Sequence, residues 1–214
     1  MARILVLGAT GGCGVHVVRL AVAAGHAVTA VVRPSVAYDP PAGATVIRDE
    51  LLRDGAIADA MRGREVVISC VGIRRRWPRN PWSRLLSPPD LVARTARAIV
   101  DGAGPAGVRR VLAISAAGVA DSAPRMSWPM RWVVGHSQIG VAYRDLAVAE
   151  AILAASALDW TAVRPVTLTS GRARAVREVE RYWLTATVAR ESVARWLVGH
   201  VDLPGPATPM VAQA

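Results

Sequence analysis

The chain contains no lysine; all 26 of its basic residues are arginine. That excludes Schiff-base chemistry, the phosphate-gripping lysine of a P-loop, and a lysine set beside a proton donor to lower its pKa. Cysteine is scarce, at Cys13 and Cys70, and the 4 histidines are scattered. Neither a disulfide framework nor a zinc site is expected, and a reducing, cytoplasmic setting follows. Acid is short as well: 16 carboxylates leave a formal net charge of +10. A GC-rich coding sequence explains the arginine bias, so the charge is weak evidence for a nucleic-acid partner, and none is expected. No apolar run is long enough for a membrane span. "MARILVLGAT" opens on a charge as a leader does, but its apolar run is only Ile4 to Leu7, and "VHVVRLAVAAGHAVTAVV" is broken by His16, Arg19, Gly25 and His26. No membrane partner is expected.

With 214 residues, 52% hydrophobic and 20% charged, the chain suits one compact domain. Apolar strands at Ile4–Leu7, Ala27–Val32 and Val66–Val71 alternate with helical patterns at Gly12–Ala24, Asp54–Gly63 and Pro89–Gly102. A short strand at Val46-Ile47, a strand reaching Ser115, a helix over Val141–Ser156, a strand "DWTAVRP" and a late helix "ESVARWLVG" continue the order. Strands apolar throughout, alternating with helices, mean a parallel sheet covered on both faces. The fold class is α/β: a single-domain Rossmann fold, residues 1–214, whose doubly wound parallel sheet ends in a short substrate-side segment over about 165–214.

"GATGGCG" supplies Gly8, Gly11 and Gly14, with Thr10, Gly12 and Cys13 between them, just after the first strand and at the start of the first helix. In that position each glycine has a job: a tight turn, a close approach to a pyrophosphate, and helix-on-strand packing, with free N–H groups turned to the anion. The second strand ends in "AVVRPS", with Arg33 where a carboxylate would grip a ribose diol and no acid before Asp39. Arginine pairs bidentately with a 2′-phosphate, so NADP(H) is expected over NAD(H).

These stretches resemble the atypical short-chain dehydrogenase/reductases, and more narrowly the NAD(P)H-binding NmrA-like group that includes biliverdin-IXβ and flavin reductases. "ILVLGATGGCG" is similar to the group's glycine loop, "VVR" to its second-strand end, and "VISCVG" to the strand beside the cofactor. "VRRVLAISAAGVADS" and "YRDLAVAEAILAASALDWTAVRP" are similar to its later strand and helix. The resemblance implies cofactor contacts at Glu50, Cys70, Val71 and Gly72; Arg74, in the basic stretch that follows, is a further candidate. Asp49-Glu50 stands where the group has a Gly-Asp turn near the adenine, and Cys70 alone suits a small core position.

The same resemblance implies substrate or nicotinamide contact at Ser115 and a proton donor at Tyr143. Four residues after Tyr143, where a lysine assists the tyrosine in related reductases, stands Ala147. His136, with an intrinsic pKa suited to general acid work, is the other candidate. Asp145 and Glu150 are expected to make surface or helix pairings. The activity implied is an NADPH-dependent reductase of a small quinone, flavin, enone or ketone. A non-catalytic NADP(H) sensor, or an isomerase or dehydratase on the same fold, stays open. One stretch resists assignment: "VGIRRRWPRNPWSRLL", Val71 to Leu86, is a candidate loop over the cofactor, with Arg74 or Arg75 to reach phosphates and Trp77 or Trp82 to cover a ring.

Overall fold

The computed structural model describes residues 1–183, 185–205 and 207–214. The first strand, β1 (Arg3–Leu7), is buried at every position after the first, as its unbroken apolar run requires. Helix α1 (Gly14–Ala23) turns Val17, Val18 and Ala21 inward, one face at helical spacing. There follow β2 (Ala27–Val32), β3 (Ala44–Arg48), α2 (Ala56–Met61), β4 (Val66–Ser69), α3 (Leu91–Ala106) and β5 (Arg110–Ile114). The second half adds α4 (Trp128–Gly135), α5 (Gln138–Ala154), β6 (Asp159–Pro165), β7 (Thr167–Thr169), β8 (Val176–Glu178), β9 (Thr187–Ala189), α6 (Arg190–Gly199) and β10 (Met210–Gln213).

The main sheet runs β3-β2-β1-β4-β5-β6-β10-β8, and only β8 is antiparallel to its neighbour. The chain winds outward from β1 to β3, then restarts at β4 on the other side of β1. That reversal opens a crevice at the carboxyl ends of β1 and β4, where ligands bind in such sheets. One apolar layer lies under α1 and α6, around Val17, Val193 and Leu197. The other lies under α2, α3 and α5, around Met61, Ile99 and Leu153. Fully buried side chains such as Leu5, Leu7, Ile68 and Leu112 contribute about 2 kcal/mol each to this scaffold.

The segment after residue 165 adds to the sheet: β10 pairs with β6, while β7 and β9 form a separate parallel pair. Two expectations change. Val71–Leu86 is a hairpin-like arm rather than a simple loop: Arg75 and Leu85 bridge antiparallel, and Arg76 N–H donates to the Arg84 carbonyl at 3.0 Å. Asp145 and Glu150 do not make surface pairings. Both lie on the inward face of α5 with Ala149 and Leu153, so their partners come from across the core. Asp145 accepts the N–H groups of Val92 and Ala93 at 2.8 and 2.9 Å and so caps α3. Glu150 takes Arg164 of β6 in a two-pronged pair at 3.0 and 2.6 Å.

Candidate active site

Parallel register sets the site out along one edge. Leu7 pairs with Ser69, and Ser69 with Ala113, so Gly8 and Cys70 emerge at one level and Ser115 one residue further on. With strands about 4.8 Å apart, Ser115 stands roughly 10 Å from the glycine turn, two strands across.

At the first end, Gly8 holds φ at 74°, and a Cβ there would press on the Cys70 carbonyl oxygen at 2.8 Å. A Cβ on Gly14 would collide with the Gly8 carbonyl oxygen, so α1 can start this close to β1 only on glycine. The N–H groups of Gly12 and Cys13 have no acceptor among the described residues, leaving donors at a helix N-terminus. A cleft of about 340 Å³ opens beside this turn, lined by Gly8, Thr10, Gly11, Arg33, Glu50, Cys70, Val71, Gly72 and Arg74. The volume falls within the usual range for small-molecule sites. Arg33 enters no hydrogen bond or ion pair from its side chain among the described residues, so its guanidinium is free to meet an anion. Leu51, Leu52 and Pro88 supply apolar walls that no motif marked.

Gly12, Cys13 and Gly14 belong to the turn but not to the lining of this cleft. Gly12 faces a second hollow with Ser170 and Arg190. There the Arg190 stem lies over it, 2.7 Å from where a Cβ would stand, and the guanidinium donates to Ser170 Oγ at 3.0 Å. Burial pushes the Cys13 thiol up to about 11, against the pull of Arg190. Burial also raises Cys70, with Cys13 adding to it. Both thiols are therefore protonated at neutral pH and neither is a nucleophile.

The other end is built from hydroxyls. Ser115 is 7% exposed, and its Oγ has no hydrogen-bond partner, which costs about 1–3 kcal/mol for a buried hydroxyl. Two residues on, the Ala117 carbonyl accepts from Tyr143 Oη at 3.1 Å and from Tyr182 Oη at 3.0 Å. Burial raises the Tyr143 phenol above its ordinary range, and the positive charge of Arg75 draws it back down. Arg75 stands at the base of the 74–86 arm, its Nη2 donating to the Pro78 carbonyl at 2.7 Å while its buried Nε finds no partner. Burial raises Tyr182 too, with Tyr143 contributing.

Sequence reasoning did not find Arg75 beside Tyr143, Tyr182 on the same carbonyl, or Arg190 on the glycine turn. No spacing links these pairs; only the tertiary fold does. His136 lies outside both groups. It is exposed, stacks on Trp132 with ring centroids 5.1 Å apart, and turns its Nδ1 to the Trp132 carbonyl at 2.9 Å.

A family model described as NAD(P)H-binding matches residues 8–204. A curated maize protein, an isoflavone reductase homolog, is 35% identical over 81 residues. That match covers 33% of this chain and spans about a quarter, 26%, of the maize protein's length. Among solved structures, ChuY of Escherichia coli O157:H7, an anaerobilin reductase, superposes with a TM-score of 0.75 at 24% identity, over 97% of this chain and 95% of its own. The oxidoreductase ylbE of Lactococcus lactis gives 0.77 at 16% identity, over 99% and 90%. At such identities the structures speak for the fold. No helix among the described residues is long and apolar enough to cross a membrane.

Proposed function

Since the chain belongs to this NAD(P)H-binding family, we propose that it is an NADPH-dependent reductase of a small conjugated or carbonyl acceptor, a quinone, flavin, enone or ketone. The observation that carries the reading is Ser115 Oγ, buried without a partner at the sheet edge, two strands from the glycine turn and two residues from the carbonyl that Tyr143 holds. A buried hydroxyl with nothing to bond is a position prepared for a polar atom of a ligand.

NADPH, when bound, supplies the hydride and leaves as NADP⁺. The glycine turn and the start of α1 hold its pyrophosphate through N–H groups, with Arg190 and Ser170 closing over Gly12. Arg33 takes the 2′-phosphate, and the Leu51–Leu52 and Val71–Gly72 walls take the adenine. Glu50 and Arg74 stand at that rim. Ser115 orients the acceptor oxygen.

Tyr143 gives the proton that an enone or ketone needs, turning its hydroxyl from the Ala117 carbonyl to the acceptor. Tyr182 stays on that carbonyl, so the turn leaves no acceptor orphaned. Arg75 stabilises the phenolate that remains, the work a lysine four residues on does in related reductases. A quinone or flavin draws its proton from solvent and needs orientation alone.

The test is NADPH oxidation at the nicotinamide absorbance band against a panel of quinones, flavins, enones and ketones, with NADPH binding followed in parallel by fluorescence. Sustained oxidation matched mole for mole by reduced acceptor is expected. Tight NADPH binding with no oxidation by any acceptor would instead make the protein a dinucleotide sensor.

A further inference from the structure

Positive charge is not spread evenly over this molecule. Residues 71–89 and 122–144 contain eight arginines, four of the seven tryptophans and not one carboxylate. The fold brings the two stretches together. Trp82 Nε1 donates to the His136 carbonyl at 2.8 Å, and Gln138 N–H to the Pro81 carbonyl at 3.0 Å, so the arm 74–86 lies against the junction of α4 and α5.

The four indoles on this face stay in solvent: Trp77 is 62% exposed, Trp82 54%, Trp128 77% and Trp132 50%. Helix α4, "WPMRWVVG", half-buries Met130, Val133 and Val134 but leaves Trp128, Arg131 and Trp132 in solvent. Apart from Arg75, and Arg74 at the rim of the cofactor cleft, the six remaining arginines are exposed and make no ion pair among the described residues. Arg76 stacks over the Trp77 ring at 5.7 Å. Elsewhere carboxylates are interspersed with the arginines, and Arg53, Arg62, Arg164 and Arg195 are each paired to one.

We infer that this face docks on an anionic lipid surface. Indoles belong at the headgroup level, where the ring is apolar and the N–H meets water. A short apolar helix lying in the interface plane sinks its rings into the acyl boundary while its arginine snorkels to the phosphates. Guanidinium groups without internal partners are available to those phosphates, and the attraction acts before contact. A second copy of the chain is a poor occupant, because two faces of one charge sign repel. A soluble acidic protein would meet the arginines but would not need four exposed indoles. The absence of a spanning segment is no obstacle, since surface docking needs none.

The test is co-sedimentation of the full chain with vesicles of phosphatidylcholine containing about one-third phosphatidylglycerol, against pure phosphatidylcholine, with tryptophan emission recorded. Binding to the anionic vesicles with a blue shift is expected, and roughly tenfold or weaker binding to the neutral ones. The triple variant Trp77→Ser, Trp128→Ser, Trp132→Ser should bind roughly tenfold less while melting at the same temperature, since these side chains are exposed. No binding to anionic vesicles at low salt overturns the inference. So does full binding by the triple variant. Equal retention on poly-glutamate or single-stranded DNA would assign the face to a soluble polyanion and overturn it too.

Discussion

The two ends of one sheet edge are made in opposite ways. At the glycine turn, the parts come from consecutive chain: a strand, a turn, a helix start, and the end of the next strand. They act through backbone N–H groups and a free guanidinium. At Ser115, the parts come from the end of β5, from α5, from the C-terminal segment and from the arm before α3, and they act through buried hydroxyls. The first end is rigid and general, suited to holding what every reaction of this kind shares. The second depends on the whole fold being in place, and on the function proposed above it is where one acceptor would be told from another.

Substitutions at the two ends should separate them, the most damaging first. Gly14→Ala drives a Cβ into the Gly8 carbonyl oxygen and should cost about 3 kcal/mol or more, with NADPH binding lost; melting and cofactor fluorescence measure both. Unchanged NADPH affinity would remove the turn from the binding end. Next comes Glu150→Ala, which leaves Arg164 buried with Asp121 as its remaining partner. A loss of about 3 kcal/mol is expected in denaturant, with KM for NADPH unaltered in the folded protein. A large rise in KM would mean that the ends are coupled through α5.

Tyr143→Phe should lower kcat for an enone or ketone roughly a hundredfold and leave the KM for NADPH alone. The opposite split would make Tyr143 a binding residue. Arg33→Ala should raise the KM for NADPH roughly tenfold or more and leave NADH unaffected; equal loss of both would end its 2′-phosphate role. The smallest effect concerns pH. The donating form of Tyr143 is the neutral phenol, and burial raises its pKa, so reductive kcat should stay level through neutral pH and fall only above the ordinary phenol range. Arg75→Ala removes the charge that lowers that pKa. The fall then moves to higher pH, and the reverse oxidation, which needs the phenolate, slows. A fall that moves to lower pH would show that Arg75 does not act on Tyr143.

The contrast also explains what the sequence disclosed. The glycine loop, Arg33 and the Cys70–Gly72 stretch are legible because the residues that cooperate are neighbours or follow strands whose period is plain. Strand and helix order was readable for the same reason up to β6, save for the short α4, and the late helix α6 was readable too. The strands β7 to β10 are each three or four residues long, too short to carry a period. Asp145 and Glu150 misled because a carboxylate in an alanine-rich helix looks solvated until the facing strand brings Arg164 to Glu150 and the start of α3 brings its N–H groups to Asp145. Arg75 was visible only as one arginine in a basic run. Its distinction, a buried Nε beside a tyrosine far along the chain, exists in the folded state alone.

The most direct test of the account uses NADPH carrying deuterium at one or the other face of C4, with the label in NADP⁺ measured after turnover with an active acceptor. If the cofactor lies along this edge with its reacting ring fixed at the Ser115–Tyr143 end, only one of the two deuterons is lost, in the wild type and in Arg33→Ala alike. Loss of both to equal extents, or of neither while the acceptor is reduced, would contradict it.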